Sequence, residues 1–358
     1  MQRARITDVA EQAGVSVSTV SNVLQGRTNR MRATTYTKVQ AVIQALEYRP
    51  SQIARHLRTG GTPMLGLLVP WIANAFASAL ASEVEAEARK HGFYLLIGST
   101  RSDPSEERRF LEEFRAQGVR GVILASSLQR EKEYLPLIED GLALTSLSRR
   151  MPTEPEDLPL DMVSVDNVAA GRLAATALIR EGHKSILYVT PRLSTLDRSD
   201  RRDGFVTAMA EAGLGETGRI LESTVDSSAS DLEFAWVGRE FADQIANMSP
   251  RPTAVVAANG VIALGLIGGL QERDLMIPGD ISVIGIDDVS LGDMVRPSLT
   301  TVSEPLKEIA GELVTSLVQR QRSPLSPPKD RLLSPTLVRR SSIVAPPARA
   351  KTRRHASR

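Results

Sequence analysis

The sequence predicts an all-α head followed by a larger two-lobed α/β body built on parallel sheets. Three observations carry this reading. The first 62 residues hold three short helical patterns punctuated by Gly and Ser. From residue 63 onward, short apolar runs alternate with helical stretches, the pattern of parallel strands covered on both faces. The formal charge is also unevenly spread: +6 over residues 1–62, −9 over 63–345 and +5 over 346–358, behind a net of only +2. A small basic module suits a polyanion, and an acidic body avoids sticking to that polyanion elsewhere.

The first helix is expected to begin at Thr7 as N-cap, with Asp8 and Glu11 suiting its positive end. Val9, Ala10 and Ala13 form its apolar stripe, and Gly14 stops it. Ser16 is placed to cap a second helix running through Leu24, with Val20, Val23 and Leu24 on one face at i, i+3, i+4 spacing. The opposite face carries Val17, Ser18, Ser21 and Asn22, a run of small, uncharged side chains. A third helix over Ala33–Leu46 packs Val39, Val42, Ile43 and Leu46. Helix, tight Gly turn, helix and packing helix make a helix-turn-helix, whose second helix enters the DNA major groove. Short side chains let that backbone approach base edges, whereas long charged ones would hold it away. A three-helix bundle without a ligand would account for the apolar stripes, but not for the local charge or the chargeless outer face.

Residues 50–62 read as a hinge helix and linker. Pro50 can start a short helix, Ser51 follows in its first turn, Ile53, Ala54 and Leu57 share a face, and Gly60-Gly61 end it. A plain linker with Leu57 packed on the body is the alternative.

In the body, strands are expected at Leu65–Val69, Tyr94–Gly98, Gly121–Ala125, Ala143–Leu147 and Met162–Val165. A second set is Ser185–Val189, Ala254–Ala257 and Val283–Ile286. Helices are expected over Ser78–His91 and Ala169–Arg180, and one starts at Asp103-Pro104-Ser105-Glu106, which combines N-cap, Pro at N1 and an acidic N3. His183, after Gly182, is expected to close the helix before it. Residues 346–358 read as a basic, disordered, solvated tail.

Composition removes several classes of function. No apolar run reaches the ~18 residues of a membrane span, and no apolar core follows the basic start, so a cytoplasmic location is expected. With no cysteine there is no disulfide and no thiolate zinc site. Four scattered histidines give no metal-ligand spacing. Nucleophile-elbow, P-loop and dinucleotide fingerprints are missing, and the glycines of "GLIGGL", 265–270, lie inside a helical stretch. No enzyme, cofactor or metal is expected.

The segments "ITDVAEQAGVSVSTVSNVLQGR" and "EYRPSQIARHLRTG" resemble the DNA-binding head of the LacI–GalR family of bacterial transcription regulators. The resemblance continues through "VDNVAAGRLAATALIREGHKSI", "RRDGF", "AANGVIALG", "VIGIDD" and "SLTTV". It implies a helix-turn-helix domain at 1–49, the hinge at 50–62, and a periplasmic-binding-protein-like effector and dimerisation domain at 63–345. The chain would cross between lobes three times, with lobe one at 63–164 plus 294–325 and lobe two at 165–293 plus 326–345. It further implies a homodimeric repressor on a near-palindromic double-stranded operator, controlled by a sugar, sugar acid or sugar phosphate in the interlobe cleft. A solute-binding receptor, or a corepressor-type regulator answering a non-sugar metabolite, is the alternative.

Carried over position by position, Thr7, Ser16, Thr19, Ser21 and Thr35 would meet phosphates, and Val17, Ser18 and Asn22 base edges. Ser51, Ala54 and Leu57 would serve the minor groove, Leu57 as a wedge between base pairs. Asn22 stands where many relatives carry Arg, which shifts the expected base from guanine to adenine. Asn74, Phe76, Arg201, Asn259, Asp287 and Glu304 would meet the effector. Asp166-Asn167 is expected to be a structural cap at a lobe crossing. The chain departs from the family pattern at Ala75 in Asn74-Ala75-Phe76, at Gly260 after Asn259 and at Ser148-Arg149; the last two remove acidic positions while Arg149-Arg150 remain, which leaves room for an anionic effector. The tail lacks the heptads of a tetramerising coil.

Overall fold

The computed structural model describes residues 4, 6–24, 31–46, 48, 63–125, 131–148, 158–193, 195–225, 230–288 and 290–347. The chain divides into two compact units between Pro63 and Met64.

The first unit holds α1 (Ile6–Ala13), α2 (Val17–Leu24) and α3 (Ala33–Ala45). Its core is Val9, Ala10, Ala13, Val20, Val23 and Val39, with Leu24, Val42, Ile43 and Leu46 packed against it. Gly14 breaks α1 from α2 with φ +59°, a conformation that costs glycine nothing. The Ser16 hydroxyl accepts from the Thr19 backbone N–H at 3.2 Å, so Ser16 caps α2. Thr7 does not cap α1. It lies inside the first turn, and its hydroxyl donates to Asp8 at 3.4 Å.

The second unit contains two six-stranded sheets. In the first, the order is β11 (Asp330–Leu333), β5 (Asp161–Val165), β4 (Ala143–Leu147), β3 (Gly121–Leu124), β1 (Met64–Val69) and β2 (Tyr94–Ser99), all parallel. In the second, it is β12 (Thr336–Val338), β10 (Thr300–Ser303), β9 (Ser282–Ile286), β8 (Ala254–Ala257), β6 (Ile186–Thr190) and β7 (Arg219–Glu222), parallel except for antiparallel β12. Helices α4 (Ala75–Lys90), α5 (Pro104–Ala116), α6 (Leu135–Glu139) and α11 (Leu306–Arg322) flank the first sheet. Helices α7 (Asn167–Arg180), α8 (Leu196–Glu211), α9 (Asp231–Ala246) and α10 (Gly260–Gln271) flank the second.

The chain crosses between sheets after Val165, after Ser303 and after Leu333. Three crossings were expected, but two fall elsewhere than the sequence suggested. Residues 294–303 were assigned to lobe one, yet β10 pairs with β9 and β12 in the second sheet. Residues 326–333 were assigned to lobe two, yet β11 pairs with β5 in the first. The reason is local: β11 (DRLL) is an exposed edge strand with no apolar run to announce it.

Helices α7 and α8 of the second lobe pack by backbone contact. A Cβ on Gly171 would meet the Arg201 carbonyl oxygen at 1.8 Å, and one on Gly204 the Val168 carbonyl oxygen at 1.9 Å. Only glycine lets α7 and α8 approach this closely, and that approach sets the position of Arg201. His183 does not close α7 through its side chain as expected. Its ring is buried, with Nδ1 2.9 Å from Thr253 Oγ1 and Nε2 2.8 Å from the Val344 carbonyl, and it pins the segment around Val344 to β8 and β9. A second buried tie joins Arg320 of α11 to Asp161, with Nε–Oδ2 at 2.9 Å.

Candidate functional site

In the first unit, the outer face of α2 carries exposed Ser16, Ser18 and Asn22, with Val17 and Thr19 half-buried between them. Ser16 Oγ lies 2.7 Å from Ser18 Oγ and 2.9 Å from Thr19 Oγ1, so three hydroxyls form one small polar surface at the helix start. No side chain of α2 carries a charge. Thr7 is exposed and Thr35 half-buried in the first turn of α3. Ser21 is the exception: it was expected on the outer face but is 8% exposed and belongs to the buried side with Val20 and Val23. Four residues after Val17 and three before Leu24, both packed against the head's core, it shares their flank of the buried stripe. Ser51, Ala54 and Leu57 lie outside the described residues, as do Arg149 and Arg150.

In the second unit, two of the polar residues expected at strand ends, Asp287 and Glu304, converge on Arg201, which is 8% exposed. Its Nε donates to Asn167 Oδ1 at 2.7 Å and its Nη1 to the Ala258 carbonyl at 3.0 Å and Asp287 Oδ2 at 3.1 Å. Its Nη2 donates to Glu304 Oε1 at 2.7 Å and lies 2.8 Å from Asp287 Oδ1. Burial opposes the charge on Arg201, but Asp287 and Glu304 more than offset it and hold the guanidinium protonated above its ordinary range. Burial, with the nearby Asp287 charge, pushes the Glu304 carboxyl well above the usual carboxylate range, against the pull of Arg201. Asp287 holds a left-handed backbone at φ +68°, tolerable for Asp and rare for other side chains. Of the two local alternatives for Arg201, Asp203 pairs with Arg202 instead, while the Asp197 charge adds to the pull that holds the Arg201 guanidinium protonated.

The other expected cleft residues have structural work. Asn259 caps α10 through Ile262 N–H at 2.8 Å. Asp166 caps α7 through Ala169 N–H at 2.8 Å, as expected, while its neighbour Asn167 turns inward to Arg201. Phe76 packs half-buried against the first-lobe core. Asn74 caps α4 through Ala77 N–H at 3.0 Å and spends its amide on Asp231 of the other lobe, at 2.7 Å. Asp231 also accepts from Ala75 N–H at 2.7 Å. Its carboxyl is raised above the usual range, first by burial, with the backbone bond from Ala75 working the other way. Asp231 was missed from sequence. Its one signal was the capping box Ser230–Glu233, which starts α9 and sets Asp231 at that helix's first position.

Residues 5–51 match the bacterial regulatory proteins of the lacI family, and residues 175–343 match the periplasmic binding protein-like domain. The HTH-type transcriptional regulator DegA of Bacillus subtilis is 33% identical over 343 residues, spanning 95% of this chain and 98% of that protein. The chain belongs to the LacI family. The HTH-type transcriptional regulator GalR of Escherichia coli is 31% identical over 96% of both LacI-family chains. Among solved structures, the lac repressor dimer bound to operator and an anti-inducer superposes with a TM-score of 0.81. At 24% identity over 96% of this chain and 100% of that one, it shares the fold. The CelR–cellobiose complex matches at a TM-score of 0.65 and 25% identity, covering 95% of this chain and 100% of the other.

This LacI-family chain is therefore a DNA-binding transcriptional regulator rather than an enzyme. Among the described residues no group of His, Cys, Asp and Glu could hold a metal ion, and no helix is long and apolar enough to cross a membrane.

Proposed function

We propose that this regulator is a repressor that binds a near-palindromic operator as a homodimer in the cytoplasm, and that a small hydroxylated molecule between its lobes controls it. The observation that carries the DNA half is the chargeless outer face of α2, held outward by the buried Val20 and Val23. Ser16, Thr19, Thr7 and Thr35 would meet phosphates, while Val17, Ser18 and Asn22 would meet base edges. A buried Ser21 supports the core instead. Leu57, with Ser51 and Ala54, would supply the minor-groove wedge.

Relatives support the control half. A PurR repressor of Vibrio atlanticus is 31% identical over 95% of this chain, and solved neighbours hold ribose or cellobiose. Arg201, Asp287 and Glu304 sit where the sheets end, but the one cation among these three residues is already matched by two carboxylates. That balance favours an uncharged sugar over a sugar acid or sugar phosphate, because an anion would meet Asp287 and Glu304 before a free positive group.

Selection on randomised duplex DNA tests the reading. The full chain should enrich a near-palindrome with adenine at the position facing Asn22, and Asn22→Arg should move that position to guanine. Each good base pairing is worth about 1–3 kcal/mol of discrimination. No enrichment, with or without a panel of sugars, would remove the proposal.

A further inference from the structure

The contact between Asp231 and the start of α4 crosses from one lobe to the other. Asp231 opens α9 of the second lobe, and Asn74 and Ala75 open α4 of the first. The carboxylate takes both available donors there, the Asn74 amide and the Ala75 backbone N–H, each at 2.7 Å. The backbone donor is one of the unpaired N–H groups that start a helix, where the helix dipole favours a negative charge. The Asn74 Oδ1 meanwhile caps the same helix at Ala77. Both lobes are otherwise self-contained here: the Ser230–Glu233 box starts α9 without Asp231, and Asn74 caps α4 without it. The contact therefore serves neither helix alone. Its effect is to tie one to the other.

We propose that Asp231 is an interlobe clasp, a carboxylate that holds the two lobes in the pose of this structure by filling the place on α4 that Asn74 would otherwise offer to an effector. The second clause rests on the effector-cleft reading above; the clasp itself does not. An effector reaching Asn74 must displace Asp231, so binding and lobe release become one event. Ligand free energy is then spent on differential affinity for the two poses, which is the requirement for any allosteric shift.

The chain has no cysteine, so two introduced ones can be labelled uniquely. Glu112 on α5 and Glu216 in the second lobe are exposed and serve as label sites, Glu112→Cys and Glu216→Cys, in the full chain. Spin labels there read lobe separation without DNA and without effector, so the result is independent of whether the regulatory reading holds. In the clasp's favour, Asp231→Ala should add a population at longer separation, Asn74→Ala should do the same, and the two together should shift it no further. Unchanged separation in Asp231→Ala overturns the clasp, and so does a further shift when Asn74→Ala is added to it. Should Asp231→Ala fail to fold by circular dichroism, Asp231→Asn serves instead. Its amide oxygen still meets Ala75 while its NH2 opposes that of Asn74, so a lengthened separation supports the clasp and a wild-type one overturns it.

Discussion

Replacing Arg201 with methionine keeps the side chain's bulk and removes its charge and five donors. The structure sets what is lost. Asn167 Oδ1, the Ala258 carbonyl, Asp287 and Glu304 all lose their shared donor at once. Two of these are carboxylates with side chains only 17% and 7% exposed, so water reaches them poorly. Breaking a buried ion pair from one side costs about 3–5 kcal/mol, because the remaining charge stays buried. That is the expected loss for Arg201→Met at pH 7, read from urea denaturation midpoints.

The same geometry fixes how the loss varies with pH. Glu304 already sits well above the usual carboxylate range through burial, and removal of the guanidinium raises it further. A carboxyl that holds its proton more tightly in the folded state gives stability that falls as pH rises through the interval between unfolded and folded values. The variant should therefore recover as pH falls from 7 to 5, and the gap to wild type should narrow. A loss below about 1 kcal/mol at pH 7, or one equal at both pH values, would refute the assignment of Arg201 as the neutralising centre of this cluster.

Three further outcomes are expected. The Tyr188 hydroxyl is fully buried with no hydrogen-bond partner among the described residues, and burial raises its ionisation above the ordinary value. Tyr188→Phe should therefore be neutral or stabilising by about 1 kcal/mol in urea melts, and a clear loss would mean that the hydroxyl is satisfied in solution. Gly204→Ala would drive a methyl to 1.9 Å from the Val168 carbonyl, which separates α7 from α8; a thermal midpoint within a degree or two of wild type would contradict this close approach. Burial holds the His183 ring below its usual range, so its neutral form contributes stability that is present above the unfolded value near 6.5 and lost as pH falls through the folded one. His183→Gln should flatten the slope of stability against pH between 7.5 and 5.5; an unaltered slope would show that another group sets it.

Part of the molecule was written in local pattern. The head was legible because α1 to α3 each bury a stripe at helical spacing, and Gly14 and Ser16 mark the break between the first two by chemistry confined to a few neighbours. The central strands were legible for the same reason: β4 and β8 are buried along nearly their whole length and so read as apolar runs. The edge strands β7, β11 and β12 were not, since exposure allows Arg219, Glu222, Asp330 and Arg331 into them. The lobe assignment of residues 326–333 went astray for want of β11, and that of 294–303 because β10 (TTVS) is buried yet carries hydroxyls rather than an apolar run.

The site divides along the same line. Sequence by itself determined which residues have the right chemistry, placing Arg201, Asn259, Asp287 and Glu304 near strand ends by spacing and family resemblance. Only the tertiary structure decided their partners, because a hydrogen bond between Arg201 and Glu304 joins positions 103 residues apart, and that between Asn74 and Asp231 spans 157. Local pattern records how a residue faces its own helix or strand. It holds no record of which distant carboxylate the fold will bring within 2.7 Å, since that depends on how two sheets and their crossings close around it.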